Sequence, residues 1–143
     1  YVPNGNHGLA GSYRSQNVYS FYRHLIQNKP LPDMDWEIGQ DSIYLKINTQ
    51  IPYEIAMWKA NNPQKRDFRS WEVGKDAWKK IPINLVPSGK YASEIPHEKG
   101  FTASLVEVVF DVKGEIPITL TTGTAIKPDT YPYKAFEPSL KKN

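Results

Sequence analysis

The sequence predicts a mainly β protein, an antiparallel β-sandwich that is preceded by a strand, a turn and a helix. Short runs of alternating apolar and polar residues recur after the first third of the chain, at the interval of roughly 8–12 residues that sandwich strands show. Aromatic residues make up 13% of the chain and there are 12 prolines, which suits pleated surfaces and strand edges. Helical periodicity is confined to the start, so residues 1–32 and residues 33–143 are interpreted as two unlike units.

The first stretch, YVPNGNHGLAGS, is interpreted as the end of a strand followed by a tight turn. His7 lies in this turn between Gly5 and Gly8, which both permit positive φ in a strand-to-helix connection. A lone loop histidine is usually solvated, so His7 gains a functional interpretation only from its context.

The next stretch has the period of an amphipathic helix that begins near Ser12 or Ser15, either of which can cap it, and ends before Pro30. His24 falls on its polar side. The apolar residues recur every three or four positions and form one stripe: Val18, Phe21, Tyr22, Leu25 and Ile26.

Period-two alternation predicts seven strands, at residues 43–47, 53–60, 66–71, 80–86, 90–95, 102–111 and 116–126. Asp67 and Arg69 would share one side of the third strand and form either an ion pair or hydrogen bonds to neighbouring strands. His97 lies in a turn, and Lys75–Trp78 has room for a single helical turn. The short segment KPLPDMD joins the helix to the sandwich.

Composition excludes several classes of function. The net charge is +3, from 18 basic and 15 acidic residues, and no basic cluster indicates nucleic-acid binding. No apolar run is long enough to span a membrane. There is no cysteine, and the three scattered histidines lack metal-ligand spacing, so we expect no metal and no cofactor. For Trp58, Trp71 and Trp78 packing is favoured over a platform for sugar rings.

Four blocks of the sequence together resemble the C-terminal part of the PhoPQ-activated pathogenicity-related protein family. The blocks are YVPNGNHGL, WKANNPQKRDFRSWEVGKDAW, GKYASEIPHEKGFTASLVEVVF and KPDTYPY. The resemblance implies an α/β-hydrolase-like domain followed by an immunoglobulin-like β-sandwich. In α/β hydrolases the triad follows the order Ser, Asp or Glu, His, and the histidine comes after the last strand. His7 matches that catalytic position.

On this resemblance, residues 1–32 are the last strand, histidine turn and helix of the hydrolase-like domain, and residues 33–143 are the immunoglobulin-like sandwich. The nucleophile and the acid would precede Tyr1, so we expect no hydrolase activity from these 143 residues alone. The expected partner is that upstream domain, with the RDFR block orienting the interface and the helix stripe exposed here. The resemblance also implies a secreted or periplasmic bacterial protein connected with virulence.

An alternative of a different class remains open. A β-sandwich with exposed aromatic residues is also typical of a non-enzymatic binding module for a glycan or a protein.

Overall fold

A computed structural model describes residues 1–5, 8–111, 114, 117–131 and 134 of the chain. In these ranges the elements, in chain order, are α1 Arg14–Ile26, β1 Met34–Ile38, β2 Ser42–Ile47, β3 Tyr53–Asn62, α2 Ser70–Val73, β4 Lys79–Pro82, β5 Lys90–Glu94, β6 Phe101–Phe110, β7 Ile118–Thr121 and β8 Ala125–Lys127. The strands form two antiparallel sheets. The predicted mainly β class is confirmed. The immunoglobulin-like topology and the domain boundary after residue 32 stay predictions.

The two sheets differ in size. The smaller sheet has the strand order β1-β2-β5, and the larger has the order β4-β3-β6-β7 with β8 also paired to β6. The edge strand β4 contains Pro82, as expected, because proline has no N–H to donate to a ladder and is therefore tolerated at a sheet edge. The long pair of β3 and β6 runs from Tyr53 opposite Phe110 to Asn62 opposite Phe101.

The core lies between the sheets, where apolar side chains from the inner faces pack together. Its buried members are Ile43, Leu45, Ile47, Ile55, Tyr91, Ile95, Val106, Val108, Phe110, Ile118 and Ala125. The hydroxyls of Tyr53 and Tyr91 are 2.7 Å apart at its margin. Burial, followed by that hydrogen bond, raises the pKa of Tyr53 to about 12.

Strand β6 is buried on both faces, because Leu105 and Val106 point to opposite sides and are 2% and 0% exposed. This explains the nearly continuous apolar run TASLVEVVF in its sequence. Its inner face joins the core, whereas its outer face is covered by the N-terminal residues and by the segment after β3. The N-terminal unit and the sandwich are therefore in contact.

Helix α1 attaches to the edge strand β7 through polar side chains. The Asn17 amide group binds both backbone groups of Thr119, donating to its carbonyl at 2.7 Å and accepting from its N–H at 2.9 Å. The buried Ser20 hydroxyl donates to the Pro117 carbonyl at 2.6 Å. His24 is also buried, and its Nδ1 donates to the Ser20 carbonyl at 2.8 Å. Side chains of the helix thus satisfy an edge that would otherwise be open to another strand.

The two ends of α1 follow the sequence signals to different degrees. The N-cap is Tyr13, which makes no side-chain capping bond, so neither predicted serine takes that position. The Ser12 hydroxyl, one residue earlier, accepts the N–H of Arg14 at 3.3 Å, and Ser15 lies inside the helix. At the other end Asn28 takes the left-handed conformation with φ 51°, a usual way to terminate a helix before a proline. Pro30 therefore follows a helix that has already ended.

The strand predicted at residues 66–71 is wrong. The Asp67 carboxylate accepts the N–H of Arg69 at 3.1 Å, and the Asn62 amide donates to the Asp67 carbonyl at 2.7 Å. These local bonds occupy backbone groups that a strand needs for its ladder. The short helix Ser70–Val73 follows instead, earlier than the helical turn expected at residues 75–78.

Two other differences concern the ends of the sandwich. The sequence prediction omitted β1, although Met34, Trp36 and Ile38 alternate with acidic residues there. The strand expected at 116–126 is divided into β7 and β8, and residue 116 lies outside the described residues. Gly123 lies in the break, where a Cβ would come within 2.8 Å of the Trp36 ring. Tyr1 and Val2, expected to end a strand, form no strand within the described ranges.

Candidate functional site

The candidate catalytic residue, His7, lies outside the described residues, so its predicted role is untested. The segment before it forms a turn in which the Gly5 N–H donates to the Val2 carbonyl at 3.1 Å. Pro3 and the positive φ of Asn4, 56°, are the combination that a type II turn requires. Beyond the histidine, Arg14 donates from Nη1 to the Gly8 carbonyl at 3.0 Å and holds the turn against α1.

Gly5 has a different role from the one predicted. Its φ is not positive, and the positive values fall on Asn4 and Leu9 instead. A Cβ on Gly5 would lie 3.0 Å from the Val2 carbonyl oxygen and from the Leu9 side chain. Gly5 is therefore needed for close approach within the turn.

A cavity of about 300 Å³ lies beside this turn, and we call it the tryptophan cavity. One wall is formed by residues 1–5, two positions before His7. The other wall contains Phe68, Arg69, Ser70, Trp71, Gly74, Lys75 and Trp78, with Leu105 and Thr124 at the base. The fold thus brings the residues before His7 and the end of the RDFR block to the same cavity.

The two walls are connected through Asn4. The Asn4 Nδ2 donates to the Trp78 backbone carbonyl at 3.0 Å, and the Asn4 Oδ1 accepts the Trp78 backbone N–H at 3.1 Å. The Trp78 ring also packs against Phe68, with 6.3 Å between ring centroids. These contacts fix the position of the RDFR segment relative to the residues before His7.

The predicted ion pair of Asp67 and Arg69 is present beside the cavity. The Arg69 Nε lies 2.8 and 3.0 Å from the two carboxylate oxygens, and Nη2 adds a further bond. These hydrogen bonds lower the pKa of Asp67 to about 2 and raise that of Arg69. The Arg69 guanidinium also lies 4.8 Å from the centroid of Trp71, so it covers one face of that ring.

The family-like blocks also contact each other through Arg66. Its guanidinium lies 3.6 Å from the Asp129 carboxylate and 4.4 Å from the Tyr131 ring centroid. It also donates to the Thr130 carbonyl at 3.4 Å. Because only 13% of the Arg66 side chain is exposed, this contact joins the segment after β3 firmly to the end of the sandwich.

Trp58 does not line the tryptophan cavity, so the three tryptophans do not form one platform. Its ring lies 5.7 Å from the Lys80 ammonium group, which forms an ion pair at 2.8 Å with the buried Glu107. The buried Trp58 indole N–H has no hydrogen-bond partner within the described ranges. Glu107 also acts on Tyr13. Burial of the Tyr13 side chain, and secondarily the charge of Glu107, raises the pKa of Tyr13 to about 12. Packing is the role observed for Trp58.

The apolar stripe predicted on α1 is exposed. Together with Tyr19 its members are 42% to 81% exposed: Val18, Phe21, Tyr22, Leu25 and Ile26. Because the polar side of α1 contacts β7, the apolar side points away from the sandwich. The expected exposure of the stripe is confirmed.

Neither a metal-binding cluster nor a membrane-spanning helix is found in the part of the chain that the structure describes. No group of three or more His, Cys, Asp or Glu side chains is arranged to hold a metal ion there. None of the described helices is long and apolar enough to cross a membrane.

Comparison with known proteins gives one family. The family model described as PhoPQ-activated pathogenicity-related protein matches residues 1–69, which include the histidine turn, α1 and the RDFR block. The predicted family resemblance is confirmed for these residues, whereas the blocks that begin at Gly89 and Lys127 lie outside the match. The chain is also similar to Autocrine proliferation repressor protein A of Dictyostelium discoideum, with 26% identity in an alignment of 157 positions that spans 92% of this chain and 32% of that protein. The chain thus spans about a third of the length of this curated relative. No solved structure matches the chain.

Proposed function

We propose that these residues are the C-terminal part of a secreted or periplasmic α/β-hydrolase-like protein. In this proposal the β-sandwich is an accessory domain that packs on the catalytic domain, and the apolar stripe of α1 lies at the contact. The exposure of that stripe is the observation that carries the proposal.

The way α1 attaches to the sandwich supports this function. Asn17 and Ser20 bind Thr119 of β7 and Pro117 just before it, and His24 is buried on the same helix beside Ile51 and Asp111. The stripe therefore has no surface of the sandwich to pack on. A row of exposed apolar side chains is typical of a contact surface. The relative of which this chain spans 32% has ample further length for a second domain.

His7 is proposed as the histidine of the triad. A histidine base needs a nucleophile within about 3 Å and a carboxylate that orients its ring. The sequence contains no GxSxG elbow, so both partners would come from the catalytic domain. This chain by itself is then inactive.

The first experiment introduces Leu25→Asp in this chain and in the longer protein that includes the proposed catalytic domain. Leu25 is 56% exposed, so in the isolated chain we expect an unfolding free energy within about 0.5 kcal/mol of the original. In the longer protein the charge would be buried at the contact, and we expect a lower melting temperature and separation of the domains in limited proteolysis.

The matched control is Leu85→Asp, because Leu85 is 55% exposed but follows β4, the edge strand of the larger sheet opposite β7. It should leave both proteins unchanged. Equal melting temperatures for the Leu25→Asp and Leu85→Asp forms of the longer protein would contradict the proposed contact.

The second experiment replaces the proposed base. In the longer protein, His7→Ala should reduce ester hydrolysis by about 10³-fold or more, since triad members act as a unit. His97→Ala is the control, because His97 is an exposed loop residue. Hydrolysis that survives His7→Ala would remove His7 from the triad without affecting the contact proposed for α1.

A second candidate function is a non-enzymatic binding module for a glycan or a protein. The exposed Trp71 at the rim of the tryptophan cavity favours it. A longer protein without hydrolase activity, but with retained ligand binding by the sandwich, would select this alternative.

A further inference from the structure

We propose that the tryptophan cavity binds a carboxylate-bearing sugar ring, a uronic acid, against the free face of Trp71. Binding itself needs only the residues of this chain. A role for the cavity as a substrate subsite of the proposed triad rests on the proposed function.

The stacking surface is the face of Trp71 opposite Arg69. The guanidinium of Arg69 lies over one side of the indole, 4.8 Å from the ring centroid, and Trp71 is still 71% exposed. The C–H groups of a sugar's apolar face carry partial positive charge, which complements the negative face of an indole ring. Trp78, fixed by Asn4 and Phe68, supplies a second apolar wall whose position is set before a ligand arrives.

The charge of the cavity selects an acidic ring over a neutral one. Its lining residues include Arg69 and Lys75 but neither Asp nor Glu. The charge of Arg69 is already paired with Asp67, which does not line the cavity. Lys75, by contrast, takes part in none of the ion pairs found in the described ranges. A carboxylate on the ligand would form an ion pair with the ammonium group of Lys75.

The size and the polar groups fit a sugar. A volume of about 300 Å³ is at the lower end of small-molecule sites, which suits one or two rings. Ser70 and Thr124 also line the cavity, so residues with hydroxyls that can bind ring hydroxyls are present beside the aromatic walls. An aromatic acid would use the walls and Lys75 but not these hydroxyls.

The test titrates this chain with methyl glucuronoside, methyl glucoside and benzoate by calorimetry and by saturation-transfer NMR. We expect saturable glucuronoside binding with weaker binding of both other probes. Trp71→Ala should weaken it by roughly tenfold, the loss of one aromatic contact. Lys75→Gln should weaken glucuronoside binding severalfold, remove its salt dependence and leave glucoside binding unchanged.

Matched controls come from the other sheet, where Tyr44 is an exposed aromatic residue and Lys46 is a surface lysine, both on β2 and neither in the cavity lining. Tyr44→Ala and Lys46→Gln should leave the affinity unchanged. The proposal is overturned if no saturable glucuronoside binding occurs up to about 10 mM, if Trp71→Ala has no effect, or if benzoate binds as tightly as the glucuronoside.

These outcomes are separable from those for α1. Leu25→Asp, which tests the domain contact, should leave glucuronoside binding unchanged because Leu25 does not line the cavity. Loss of glucuronoside binding would leave the proposed contact and the proposed triad standing, and the reverse also holds.

Discussion

The sandwich interior and the helix α1 use their apolar residues in opposite ways. In the sandwich, Val106, Val108 and Phe110 point inward and are fully buried. In α1 the buried residues are Ser20 and His24, and the apolar stripe points outward. The interface between α1 and β7 is consequently built from directional hydrogen bonds, whereas the interior depends on non-directional burial of apolar area.

This difference separates stability from assembly. The sandwich has a core of its own, so its fold does not depend on the stripe. The helix satisfies the edge of β7 and presents an apolar surface at the same time. A helix with these two sides is expected where it packs on the sandwich through its polar side and on another surface through its apolar side.

The largest expected effect comes from opening the core. Phe110→Ala should lower the unfolding free energy by about 3–5 kcal/mol, because a fully buried ring leaves a cavity. Phe21→Ala removes the same side chain from the exposed stripe, where Phe21 is 42% exposed, and should change stability by about 0.5 kcal/mol or less. Urea denaturation measures both. Similar losses for the two variants would erase the contrast between core and stripe.

An intermediate effect is expected from the polar interface. Asn17→Ala leaves the Thr119 N–H and carbonyl without their partner, and Thr119 is only 5% exposed. The loss should be about 1–3 kcal/mol, the range for an unsatisfied buried polar group. Hydrogen exchange at the Thr119 amide should become faster. Gln27→Ala, at the exposed end of the helix, is the control, and unchanged exchange in Asn17→Ala would mean that the helix is held by other contacts.

The smallest effect concerns Asp67, whose pKa is lowered to about 2 mainly by its hydrogen bonds with Arg69. Because the folded value is below the unfolded value of about 4, the contribution to stability is present above pH 4 and is lost as pH falls toward 2. Arg69→Gln should raise the pKa of Asp67 toward its usual range, and Lys65→Gln should raise it less. Carboxyl NMR titration measures both shifts, and equal shifts would contradict the dominant role of Arg69.

The sequence predicted the elements that follow a strong period. The apolar run of β6 and the alternation in β2 and β5 appear near their expected positions, since a buried face imposes a period of two. The sequence of β1 shows the same alternation, but β1 was not among the predicted strands. The strand expected at 66–71 failed for another reason, because the side chains of Asp67 and Asn62 bind the backbone there.

The candidate site was less accessible to prediction. His7 and the RDFR block were singled out by resemblance, but only the tertiary structure brings the residues before His7 to the same cavity as Trp71. The contact depends on Asn4 and Trp78, which are 74 positions apart. No local pattern encodes a pairing at that distance. The pairing depends on how β3, β4 and β6 lie side by side in one sheet and bring the two segments next to each other.

The sequence by itself therefore determined the mainly β class, the presence and ends of α1, and the apolar stripe on that helix, since each follows from the order of neighbouring residues. The tertiary structure decided which side of α1 is buried. Hydrogen-bonding side chains matched the open edge of β7, and the apolar stripe remained for another surface. The tertiary structure also placed Trp71, Lys75 and the residues before His7 around one cavity, because packing on a shared sheet joins segments that are distant in the chain.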